Sequence, residues 1–126
     1  MKIDSLPTLI NDFVISLNLM PFNAFGELRI REVEEVEAHA ILVNILSQDL
    51  AYNGPRYMSK EEALAFVEQA LRMFDSKVRF FTNAWFTFDP FRISSWSPIA
   101  MPRTFDTGIV FVDDQQIGIL WVTDED

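Results

Sequence analysis

Apolar residues recur at two different periods along this chain, and the change of period divides it. Leu6, Leu9, Ile10, Phe13 and Leu17 fall at helical spacing, with Ser5 placed to cap and Pro7 tolerated in the first turn. Pro21 stops that run. From residue 27 the pattern is mixed. Leu28 and Ile30 alternate with Arg29 and Arg31 as in a short strand, and then Val33, Val36, Ala40, Val43 and Leu50 keep helical spacing, widened by Ile41, Leu42, Ile45 and Leu46. This predicts one helix over about 27–52, closed by Asn53-Gly54-Pro55. Ser59-Lys60-Glu61-Glu62 is a capping box, a hydroxyl at the cap and a carboxylate three residues on. Ala63, Phe66, Val67, Ala70, Leu71 and Phe74 supply the apolar face of a third helix, to about Asp75.

Beyond that point the period falls to two. Residues 78–88 alternate, with Phe80, Ala84, Phe86 and Phe88 on one side and Phe81, Asn83, Trp85 and Thr87 on the other. Asp89-Pro90 marks a turn, 91–96 a second strand, and 97–102, with two prolines, an irregular or edge segment. The last two apolar runs, 108–112 and 117–122, flank Asp113-Asp114-Gln115-Gln116, a four-residue hairpin loop without glycine. Pairing Val112 with Ile117 sets Phe111 opposite Gly118 and Trp121 opposite Gly108, so each bare glycine gains a cross-strand aromatic. In that register Ile109, Phe111, Leu120 and Val122 share one face; Val110, Val112, Ile117, Ile119 and Trp121 share the other. Both faces are apolar, so the hairpin is expected to be central and covered twice, by helices on one face and loops on the other. Alternatively, one face or a neighbouring edge meets a partner. The fold class is α+β: about three N-terminal helices packed on a C-terminal antiparallel sheet that ends in the 108–112/117–122 hairpin, in a single domain over 1–126.

Composition narrows the class of function. A hydrophobic content of 49% argues against disorder, and twelve Phe and three Trp leave aromatics to spare for a surface. The formal charge of −9 disfavours nucleic acid and anionic membrane as direct ligands and favours a basic protein partner. No cysteine is present, which removes disulfides, thiolate nucleophiles and cysteine metal sites, and suits a cytoplasmic location. Asp4 and Asp12 interrupt any signal-peptide pattern, and no run reaches the roughly 18 apolar residues of a membrane helix.

Candidate chemistry is sparse. His39 is the single histidine and follows Glu35 by four residues, the arrangement of a helix histidine beside an acid. Glu32, Glu34, Glu35 and Glu37 lack the Glu-x-x-His spacing of di-iron bundles, since position 36 is Val, and read as a solvated helix face. Asp113, Asp114, Asp124, Glu125 and Asp126 lack EF-hand spacing. No phosphate-loop, dinucleotide or serine-hydrolase motif occurs, and the aromatic stretch 80–91 has no basic residues for stacking nucleic acid, so it reads as core. The expectation is a protein with no catalytic residue, metal or cofactor.

Ser95-Trp96-Ser97-Pro98, Thr104-Phe105-Asp106-Thr107-Gly108, Gly118-Ile119-Leu120-Trp121-Val122 and Asp124-Glu125-Asp126 together resemble the tail of small acidic bacterial immunity proteins of polymorphic or contact-dependent toxin systems. The likeness covers about the last third of the chain. It implies a cytoplasmic protein that binds one cognate toxin domain and blocks it. A basic, nuclease-like toxin matches the charge, and the residues from Thr104 onward hold six acids and no Lys or Arg. The expected partner-binding residues are Asp106, Asp113, Asp114, Asp124, Glu125 and Asp126, with Trp96 or Trp121 as anchor. The rival classes are a structural or adaptor domain forming a homodimer, and a small-ligand-binding or enzymatic domain with the aromatic strands as its pocket.

Overall fold

The computed structural model describes residues 6–19, 30–48, 58–87, 91–96 and 105–124. Its elements are α1 (Leu6–Ser16), β1 (Arg31–Val33), α2 (Glu35–Ser47), α3 (Lys60–Leu71), β2 (Arg79–Thr82), β3 (Ala84–Thr87), β4 (Arg92–Trp96), β5 (Phe105–Val112) and β6 (Ile117–Asp124). Four strands form an antiparallel sheet in the order β1-β2-β5-β6, and β3 and β4 form a separate two-stranded ribbon. The fold is α+β, with one departure from the expected order: a strand, β1, stands between the first and second helices.

The terminal hairpin has the expected register, Phe111 opposite Gly118 and Gly108 opposite Trp121. Its two faces divide as the alternation requires. Ile109 and Phe111, with Leu120 and Val122 beside them, pack with Ile41, Leu42 and Ile45 of α2 and Val67 of α3. Val110 and Val112, with Ile117, Ile119 and Trp121, pack with Leu6, Ile10 and Val14 of α1. Helices therefore cover both faces, where loops were expected on one. Splitting the helices lets each apolar face of a sheet this short gain a buried layer.

The covering of the two glycines differs in detail. The Trp121 ring lies over Gly108, whose absent Cβ would come within 2.8 Å of Trp121 Cε3. Gly118 is covered by Phe74, from the turn after α3, which would stand 2.9 Å from a Cβ there and stacks on Phe111 at 5.1 Å between centroids. A ring from outside the hairpin thus does the work expected of the cross-strand partner.

Helix ends follow local chemistry. α1 stops before Pro21, because Asn18 takes a left-handed φ of 64° and the amides of Asn18 and Leu19 bond back to Ile15 and Val14. The helix predicted over 27–52 is wrong at its start. Arg31–Val33 is extended, with Glu32 exposed and Val33 buried, and pairs with β2. The helix begins only at Glu35, where Glu37 Oε1 accepts the Glu34 amide at 2.9 Å and the acids of the first turn suit the helix dipole. Residues 27–29 and 49–52 of that prediction lie outside the described residues, as do Ser5 and Pro21. α3 has the predicted cap, with Ser59 Oγ accepting the Glu62 amide at 3.1 Å, but Phe66 is 43% exposed and the buried residues of the helix are Ala63 and Val67.

The alternating run 78–88 does not make one strand. It breaks at Asn83, where the chain leaves β5. Side chains replace the lost ladder: Thr82 Oγ1 donates to Gly108 O at 2.8 Å, Asn83 Nδ2 donates to Asp106 O at 3.0 Å, and Thr107 Oγ1 donates to Asn83 Oδ1 at 2.7 Å. All of these groups are buried, so each bond removes a desolvation penalty of about 1–3 kcal/mol.

Candidate functional site

The antiparallel order sends the candidate residues to two opposite ends of the sheet. β5 starts at one end with Asp106 and Thr107 and finishes at the other beside Asp113 and Asp114. Seven steps of extended chain separate Asp106 from Asp113, about 23 Å. The expected site residues therefore do not gather on one surface.

At the first end the acid is structural. Asp106 is fully buried, and its Oδ1 accepts the Trp121 indole N–H at 3.0 Å. Trp121 is itself half-buried across Gly108. Asp106 is therefore closed to a partner, which corrects the expectation for that residue, while Trp121 keeps part of its surface open. A short carboxyl on the α1 side of the sheet is what the indole can reach once its ring lies over a glycine. Trp96 is half-buried on β4, opposite Ala84. Asp124 pairs with Phe105 at the end of β6, while Glu125 and Asp126 lie outside the described residues.

The same end carries an aromatic that sequence reasoning assigned to the core. Trp85 on β3 is 56% exposed. The Arg31 guanidinium lies 4.8 Å from its ring centre and 4.7 Å from that of Phe86, and its Nε and Nη2 donate to Ala84 O at 3.3 and 3.2 Å. Arg31 thereby ties the ribbon to β1 and holds Trp85 in place. The one signal for this in the sequence was Trp85 sharing the side of the alternation that held Asn83 and Thr87.

At the second end Asp113 is also buried and structural. Its Oδ1 accepts the amides of Gln115 and Gln116 at 2.8 Å each, and its Oδ2 accepts the Asp75 amide at 3.1 Å. These amide donors, that of Gln115 first, hold its carboxyl below the usual carboxylate range. The Gln116 side-chain amide donates to Met73 O. The hairpin loop is thus pinned to the end of α3, and Asp114 is left exposed at its tip.

Around this clasp lies an acidic surface. α2 begins here with exposed Glu34 and Glu35 and half-buried Glu37, Asp75 is exposed after α3, and Glu32 projects from β1. Glu32 is held by Arg79 through bonds of 2.8 and 2.6 Å. The hydrogen bond from Arg79 lowers the Glu32 pKa, and its counterpart raises that of Arg79. Among the described residues, Glu32 is the one acid of this group in an ion pair. Two exposed apolar side chains sit within the same surface: Met73 at 71% and Val36 at 64%. Val36 borders a groove with Glu35, His39, Glu68, Leu71 and Arg72, and Met73 follows directly. His39 faces Glu68 of α3 across this groove, with Nε2 3.7 Å from Oε1, so its acid neighbour is Glu68 where Glu35 was expected. The Glu32–Glu37 run was legible in the sequence, but only the fold sets it in a groove with Ser76 and Arg79, at the end of the sheet where the hairpin loop is pinned.

Among the described residues no group of His, Cys, Asp and Glu is arranged to hold a metal, and no helix is long and apolar enough to cross a membrane. Comparison with protein-family models, curated proteins and solved structures returned no match.

Proposed function

We propose that this chain is an immunity protein that binds a cognate bacterial toxin domain, basic and nuclease-like, and blocks it. The observation that carries the reading is the composition of the second end: it exposes the side chains of Val36 and Met73 and also Glu34, Glu35, Asp75 and Asp114, acids that no described cation pairs. An apolar centre with a charged rim is the anatomy of a protein interface, and a rim in which acids outnumber the bordering Arg72 and Lys77 favours a basic partner. Carboxylates there would occupy the positions a basic nuclease offers to phosphates, which competes directly with its substrate. The net charge of −9 adds long-range steering in the same sense. The interface thus moves from the tail acids to the surface shared by the α2 start, the α3 end and the hairpin tip.

The test is binding kinetics with a basic toxin domain encoded beside this chain. Glu35→Gln combined with Asp114→Asn should slow association severalfold at low salt. The difference should vanish as the Debye length falls below about 8 Å. Met73→Ala should instead speed dissociation, costing about 1 kcal/mol or more. Melting curves should stay within about 2 °C of the parent, since these side chains are exposed. Unchanged low-salt association in the double variant, or no binding of such a domain by the parent chain, would sink the proposal.

A further inference from the structure

The two edges of the four-stranded sheet are built differently. β1 is three residues long and carries Arg31 and Glu32, and short, charged strands are the usual protection against recruitment of another strand. β6 is eight residues long, pairs with β5 without a bulge, and contains neither proline nor any charge from Ile117 to Thr123. The Asp113 amide bonds to Gln116 O, which sets the phase of the hairpin ladder. Antiparallel alternation then directs the N–H and C=O of Gly118, Leu120 and Val122 toward β5, and those of Ile117, Ile119 and Thr123 outward. Among the described residues no strand lies beyond β6. Its side chains remain half-exposed on both faces, Ile117 and Ile119 on the α1 side, Leu120 and Val122 on the α2 side. A flanking strand would cover all four.

We infer that a second copy of this chain lays its own β6 antiparallel along this edge, about a two-fold axis near Leu120, so that Ile117 of one copy meets Thr123 of the other. Such an axis makes the edge its own complement, because each outward donor finds the acceptor of the same strand reversed. A basic partner gains nothing from an uncharged strand and is drawn to the acidic end. Two copies carrying −9 each repel at long range, and from Ile117 to Thr123 no charged side chain adds to that repulsion along the paired strands. The inference is independent of the proposed function, and salt separates the two. Screening should strengthen a dimer of like-charged copies and weaken capture of a basic toxin.

Sedimentation of the full chain over a range of concentration and salt tests it. The expected result is a species of twice 14.6 kDa, favoured by high salt, with amide exchange at Ile117 and Ile119 slowing as concentration rises. Thr123→Lys, at an exposed position, should weaken association about tenfold with its melting curve unchanged, and Ile119→Lys should weaken it more. A chain that sediments as a monomer under all conditions would overturn the inference. So would a dimer that persists undiminished in both lysine variants, since it would then be joined elsewhere.

Discussion

Asp106 offers the sharpest division between an acid that serves the fold and one that serves a surface. Its carboxyl is fully buried and accepts the Trp121 indole at 3.0 Å. Asp106→Ala removes that acceptor and strands an indole N–H that is only partly open to water. Leaving one such group unsatisfied costs about 1–3 kcal/mol, and about 2 kcal/mol is the working value. Unfolding entropy for 126 residues is about 0.26 kcal/mol/K, so each kcal/mol moves the midpoint by about 4 °C. Asp106→Ala should therefore melt about 8 °C below the parent. Asp106→Asn keeps an acceptor oxygen for the indole and should fall between the two. Asp114→Ala, exposed at the hairpin tip, should stay within about 2 °C. The assay is thermal unfolding followed by near-ultraviolet circular dichroism, which reports the packing of the aromatic side chains, Trp121 among them. Binding is then measured on the folded fraction, where Asp106→Ala should retain the parent's kinetics. An Asp106→Ala protein that melts with the parent and loses partner binding would show that Asp106 belongs to the interface and not to the core.

Two further outcomes follow from the same packing. Gly108→Ala should destabilise far more than Gly118→Ala, because a Cβ at 108 meets Leu120 and Trp121 backbone while one at 118 meets only the Phe74 ring, which can shift; about 3 kcal/mol against about 1 is expected, and similar denaturant midpoints would contradict it. Asp113 has a pKa depressed in the folded state, so its contribution is present above the unfolded value of about 3.9 and is lost as pH falls through the folded value. Asp113→Asn should accordingly flatten the acid limb of stability against pH, and an unchanged limb would show that the clasp on Gln115, Gln116 and Asp75 is not linked to folding.

What the sequence determined by itself was local. The register of the terminal hairpin followed from two glycines and two aromatics at fixed offsets, and its two faces from strict alternation, which a one-residue slip would have inverted. The α3 start followed from a capping box that satisfies backbone amides within four residues. Tertiary structure decided whatever depended on distant chain. The helical period over 33–46 ran back into Arg31 and Glu32, and only pairing with β2 made those residues a strand. The run 78–88 alternated throughout, but Asn83 left the sheet because its amide could replace ladder bonds to residues 106 and 107. The division of acids was likewise invisible in sequence. Asp106, Asp113 and Asp114 are alike as letters, and the fold buries two against an indole and backbone amides while leaving the third exposed at the hairpin tip. Charge is a property of the residue, but whether it faces water is a property of its neighbours, and most of those neighbours are far away in the chain.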